Sequence, residues 1–128
     1  EEPKVLVELG SGDGTAVLLT AQHWALDSYW GVELDPALHR EASALLQDAS
    51  GQQNCFFINE DPRCIPPLLS MKAVFLVNNE GWSVDMSEQL GAALDLYTPE
   101  GALVFSSAEV KMSRSEPCPG GEIGAGVR

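Results

Sequence analysis

A doubly wound α/β fold is predicted, with a mainly parallel sheet in the order 3-2-1-4-5 and helices on both faces. Three observations predict it. Short apolar segments alternate with longer segments of helical spacing, in the order β-α-β-α-β-turn-β-α-β. The first apolar segment runs into an acid and three glycines, Glu8-Leu9-Gly10-Ser11-Gly12-Asp13-Gly14. A second acid, Glu33, closes the second apolar segment 21 positions after Gly12. Alternation of this kind argues for parallel strands joined by right-handed crossovers. Ligands then bind outside the carboxyl ends of the strands, between strands 1 and 4, where the order reverses.

Each element follows from local chemistry. Lys4–Leu9 is rich in β-branched residues and stops at glycine, as a buried strand does. Thr15–Leu26 reads as a helix with Val17, Ala21, Trp24 and Ala25 toward the sheet. Ser28–Leu34 is the second strand, and Asp35-Pro36 supplies a cap and a first helical residue. Leu38, Ala42 and Leu45 share one face of the helix that runs to Gln47. A polar turn at 51–54 precedes the strand Cys55–Asn59. Pro62, Pro66 and Pro67 leave room for a single helical turn near Leu68–Ser70. Ala73–Val77 is the fourth strand, and Ser83–Tyr97 a helix with Met86, Leu90, Ala93, Leu94 and Tyr97 inward. Thr98-Pro99-Glu100-Gly101 turns the chain into the strand Ala102–Ser106. Residues 1–107 thus form one core, and 108–128, with its Gly, Pro and Ser, reads as a flexible tail.

Composition narrows the function classes. A chain of 128 residues supports one domain, and no apolar run approaches transmembrane length. The acidic start, which enters a strand almost at once, is unlike a signal peptide. Cys55, Cys64 and Cys118 are odd in number and lack metal-type spacing, so reduced cysteines in an intracellular protein are expected and no metal site. Seven basic against nineteen acidic residues give a net charge of −12, which opposes broad contact with a phosphate backbone. Basic peptides and neutral small molecules are the easier partners.

The glycine segment is the clearest functional signal. Glycines let the backbone turn sharply and approach a ligand, and the following helix points free N–H groups into the same place. The dinucleotide fingerprint wants its third glycine three positions after the second, where Thr15 stands. The pattern instead resembles the first motif of class I S-adenosylmethionine (SAM) methyltransferases, an acid followed by Gly-x-Gly-x-Gly, and so implies their Rossmann-like fold. Glu8 suits that cofactor, whose ammonium and sulfonium a carboxylate attracts, whereas it would repel a pyrophosphate. Glu33 suits a ribose, since a carboxylate can accept two bonds from a vicinal diol. Asp61, after strand three, can accept from an exocyclic amine. Asn78-Asn79-Glu80-Gly81-Trp82 ends strand four beside the expected reactive end, with amides to orient an acceptor and a ring to wall a channel or face a cation. His23 and His39 fall at unmatched helical positions and suggest no catalytic pair.

Four segments in order carry a narrower resemblance: Glu-Leu-Gly-Ser-Gly-Asp-Gly at 8–14, Trp-Gly-Val-Glu at 30–33, Val-Phe-Leu-Val-Asn-Asn at 74–79 and Gly-Ala-Leu-Val-Phe-Ser-Ser at 101–107. Together they resemble the non-SET histone-lysine methyltransferases named for disruptor of telomeric silencing. The resemblance implies methyl transfer from SAM to a histone lysine in the nucleus. It implies a cofactor site of Glu8, Gly10, Ser11, Gly12, Gly14, Thr15, Glu33, Asp61 and Asn78. Within it, Asn78 would stand beside the methyl group and Trp82 would line the lysine channel. Pro62 stands where that family has an aromatic residue, and Glu80 where it has an apolar or aromatic one. The family's upstream segment, its last strand pair and its basic nucleosomal patch are not legible in this sequence. Methyl transfer to another protein or small molecule, and a non-catalytic remnant, are the alternatives.

Overall fold

A computed structural model describes residues 2–49 and 54–112, together with the backbone of 116–117 and 126–127. Its strands are β1 (Val5–Leu9), β2 (Ser28–Val32), β3 (Cys55–Ile58), β4 (Val74–Val77), β5 (Leu103–Ser106), β6 (Glu116–Pro117) and β7 (Gly126–Val127). Its helices are α1 (Thr15–His23), α2 (Pro36–Asp48), α3 (Pro66–Leu69) and α4 (Val84–Tyr97). The sheet runs β3-β2-β1-β4-β5-β7-β6, and the first five strands are parallel. The sequence predicts a sheet that ends at β5, whereas two short antiparallel strands extend it. Two residues are too few to leave a periodic pattern, and the edge position of β6 tolerates Pro117, which cannot donate to a ladder.

Alternation along the strands splits the core into two layers. Val7, Leu9, Val32, Phe75, Val77 and Val104 pack with α3 and α4 through Leu68, Leu69, Leu90 and Leu94. Leu6, Tyr29, Cys55 and Val74 pack on the other face with Val17 and Leu18 of α1, and with Leu46 of α2. Burying a Leu or Phe of this kind contributes roughly 1.5–3 kcal/mol, so these layers hold the strand ends in place.

Several sequence expectations shift locally. Helix α1 stops at His23, and Trp24 is extended and about half exposed instead of packing inward. The Tyr29 hydroxyl explains the stop, since it donates to the Trp24 carbonyl and accepts from the Leu26 N–H at 2.7 Å. Leu46 takes the inward place expected of Leu45, and Tyr97 is exposed at the end of α4. Cys55 is buried but Cys64 is exposed, because it follows the Pro62 turn instead of lying in a strand. Cys118 lies outside the described residues. The Asp35 cap forms as expected, its Oδ1 accepting from Ala37 N at 2.9 Å. Ser83 caps α4, accepting from Met86 N at 3.1 Å. Residues 108–112, which the composition assigns to a flexible tail, lie against α4 and the core, with Val110 and Met112 in contact with the buried cluster.

Candidate functional site

At the carboxyl edge of the sheet, the loop after β1 is tied down from below and from the side. Gly10 N and Ser11 N both donate to the Val32 carbonyl, at 2.8 and 3.0 Å. Gly12 N donates to Glu33 Oε1 at 2.7 Å, and Asp35 N to Glu33 Oε2 at 2.9 Å. Glu33 therefore clamps the glycine loop and still keeps acceptor capacity on each oxygen. Gly10 has φ +84°, and a Cβ there would stand 2.8 Å from the Asn78 carbonyl oxygen. Close approach between the β1 and β4 ends thus requires glycine. Gly14 begins α1 in a left-handed conformation without a side-chain cap. Thr15 N donates to Asp13 Oδ1 at 3.0 Å, which holds the exposed Asp13 carboxyl below its ordinary range.

Two buried polar atoms beside this loop have no partner, Glu8 Oε1 and Ser11 Oγ. Glu8 is only 7% exposed and does not pair with Lys4. Burial, with the nearby charges of Asp13 and Glu33, raises its pKa to about 7. A buried carboxylate oxygen left unpaired is costly, so it marks a place for an incoming donor.

The other predicted residues sit farther along the rim. Asn59 Nδ2 donates to the carbonyls of Glu33 and Leu34, joining the ends of β3 and β2. Just beyond, both oxygens of Asp61 are engaged by Arg63, which the sequence reading did not single out. That pairing holds the Asp61 carboxyl below its ordinary range.

At the end of β4 the two amides separate in role. Asn78 is exposed, and its backbone N–H donates to Leu9 O at 2.9 Å. Asn79 is 1% exposed and is hydrogen-bonded through both its backbone and its side chain. Its N–H donates to Ser107 Oγ at 3.1 Å, its Nδ2 to Ser87 Oγ at 3.1 Å, and its Oδ1 accepts from Ala108 N at 2.9 Å. It latches β4, α4 and the segment after β5 together. Ser107 belongs to the Ser-Ser strand end that the sequence marks, whereas Ser87 does this work without a legible signal, since a lone serine in a helix fits many roles.

The Trp82 indole lies against the glycine loop, with Cζ2 3.3 Å from where a Gly10 Cβ would stand. On the side of Asn79 and Glu80 opens a cavity of about 410 Å³, lined by Trp82, Val84, Glu80, Glu88 and Glu109 among others. Glu88 and Glu109 also line a neighbouring groove of about 520 Å³ along α4, with Asp95. No metal-binding cluster of His, Cys, Asp and Glu occurs among the described residues.

The comparisons with known proteins agree with this architecture. The chain is 27% identical over 103 residues to trans-aconitate 2-methyltransferase of Escherichia coli, covering 80% of the chain. It spans 38% of that relative's length. Among solved structures it is similar to an RNA methyltransferase from Salinibacter ruber in complex with S-adenosyl-L-homocysteine, at 26% identity and a TM-score of 0.71. That match covers 91% of this chain and 71% of the other. A plantazolicin methyltransferase in complex with S-adenosyl-L-homocysteine matches at 16% identity and a TM-score of 0.65, over 83% of this chain and 39% of the other. No family model matches the sequence. With strand order, glycine loop and structural neighbours in agreement, the chain has the Rossmann-like fold of class I SAM-dependent methyltransferases.

Proposed function

We propose that this chain is the cofactor-binding core of a SAM-dependent methyltransferase. The observation that carries the reading is the pair of unpartnered buried atoms, Glu8 Oε1 and Ser11 Oγ, beside a glycine loop at the sheet's reversal point. They fit the cofactor's ammonium, which supplies the donors that both atoms lack. Glu33 keeps lone pairs for a ribose diol, and Asp61 stands at the β3 end for an amine of the base. When bound, SAM supplies an activated methyl group on a cationic sulfur. The chain's own residues would orient the acceptor from exposed Asn78 and exclude water with Trp82, so positioning supplies most of the rate.

The finer reading is transfer to a lysine amine of a histone, and with it a place in the nucleus. It rests on the four ordered segments that resemble the disruptor-of-telomeric-silencing family. Around the cavity three carboxylates, Glu80, Glu88 and Glu109, outnumber one cation, Lys111, and this balance supports a basic acceptor over a polycarboxylic acid such as trans-aconitate. Titration calorimetry of the folded chain with SAM and with NAD tests the cofactor. SAM binding that Glu8→Gln weakens at least about tenfold, a loss of roughly 1.4 kcal/mol, is expected. Preference for NAD would overturn the reading. Methyl-labelled SAM offered with nucleosomes or with trans-aconitate tests the acceptor, and label on the acid alone would overturn the histone assignment.

A further inference from the structure

We infer that Arg63 is a positioning residue that makes the β3 end of the site selective for an amino-bearing base; the inference rests on the SAM reading above. Its guanidinium forks onto Asp61, Nε to Oδ1 at 2.9 Å and Nη2 to Oδ2 at 2.5 Å. Its backbone N–H adds a third bond to Oδ1 at 3.0 Å. The remaining arm, Nη1, reaches Gln89 Oε1 on α4 at 2.6 Å. Bidentate Arg–carboxylate pairing fixes the carboxylate plane as well as its charge. The turn beneath is closed by Cys64 N donating to Asp61 O at 2.9 Å, with Pro62 buried between them.

Counting lone pairs gives the consequence. A carboxylate oxygen accepts two hydrogen bonds at most. Oδ1 already receives two, from the Arg63 side chain and backbone, whereas Oδ2 receives one. The Asp61 side chain therefore offers one further acceptor site of fixed direction, at Oδ2. Pro62 has no N–H, so the position after Asp61 presents no backbone donor to reward a keto oxygen. A ligand edge with a donor is favoured, and one with an acceptor meets a carboxylate lone pair. Because Arg63 also grips α4 through Gln89, the direction of that lone pair is set by two elements instead of by one flexible loop.

S-adenosylhomocysteine and its deaminated counterpart, S-inosylhomocysteine, differ at that edge and serve as probes. Calorimetry on wild type, Arg63→Ala and Arg63→Lys, with thermal melts on each, forms the test. Wild type should prefer the adenosyl compound by about tenfold or more, the value of one charge-assisted bond. Arg63→Ala should lower adenosyl affinity severalfold and leave inosyl affinity within about twofold, a change in selectivity that general destabilisation would not produce. Arg63→Lys, which keeps the charge without the fork, should fail to restore the preference. Unchanged selectivity in Arg63→Ala, or an equal loss for both probes, overturns the role of Arg63 alone. Absence of binding of either probe to folded wild type overturns the cofactor reading and this inference together.

Discussion

Glu8 enters the fold against its own solvation. Its pKa, raised from the ordinary 4.5 to about 7 by burial and by Asp13 and Glu33, means the folded state holds a proton that the unfolded chain has released. Between about pH 4.5 and 7 the folded state binds more protons, so stability falls as pH rises through that window and levels off above it. Thermal melts from pH 4 to 8 should trace this decline, and Glu8→Gln should flatten it. A cationic ligand reverses the preference by favouring the carboxylate. SAM affinity should therefore weaken as pH drops below about 7, with proton release visible as a buffer-dependent binding enthalpy. Gly10 carries a second prediction at this scale. Alanine there meets both a left-handed φ and the Asn78 carbonyl oxygen. Gly10→Ala should lower stability by about 1–3 kcal/mol in a denaturant titration and abolish cofactor binding.

Among the elements, α4 carries the most dependence on an absent side chain. Gly91 is buried mid-helix, where glycine costs about 1 kcal/mol relative to alanine. A Cβ at Gly91 would land on the Lys111 carbonyl oxygen. The glycine therefore lets residues 108–112 lie on the helix and wall both the cavity and the groove. Gly91→Ala should gain helix propensity yet lose about 1–2 kcal/mol overall, and acceptor KM should rise more than cofactor KM in steady-state assays. The strands and long helices were legible in the sequence because apolar period, caps and prolines all agreed, as at Asp35-Pro36 and Ser83. The end of α1 was not, because it depends on Tyr29 reaching back across a turn. The glycine loop and Glu33 were legible as a unit, but the Arg63 fork and the Asn79 latch were not. The fork spans only two positions, from Arg63 to Asp61, but its arm to Gln89 and the Asn79 bonds to Ser107 and Ala108 join residues 26 to 29 positions apart through polar side chains that carry no periodicity.

Taken whole, the molecule places all its recognisable chemistry on one edge of the sheet, as the reversal of strand order after β1 requires. The same edge is strongly acidic, within a chain of net charge −12. Steering of a basic acceptor by such a surface is screened over about 8 Å at physiological salt. For a histone acceptor, kcat/KM should fall severalfold between 50 and 300 mM salt, chiefly through the association step. An acceptor that is a small neutral molecule would show a flat salt profile in the same assay.

Trp82 gives the fold an optical readout. Of the three tryptophans, Trp24 faces solvent and Trp30 stacks on Phe56, with ring centroids 4.4 Å apart. The Trp82 ring alone borders the glycine loop, on the wall between that loop and the acidic cavity. Occupancy on either side changes the polarity that this indole senses, whereas the other two rings stay where they are. Titrating a Trp24→Phe, Trp30→Phe chain with S-adenosylhomocysteine should shift its emission maximum, and a Trp82→Phe chain should stay silent. Ligand entry would thereby be reported in real time by light, before any methyl group has moved.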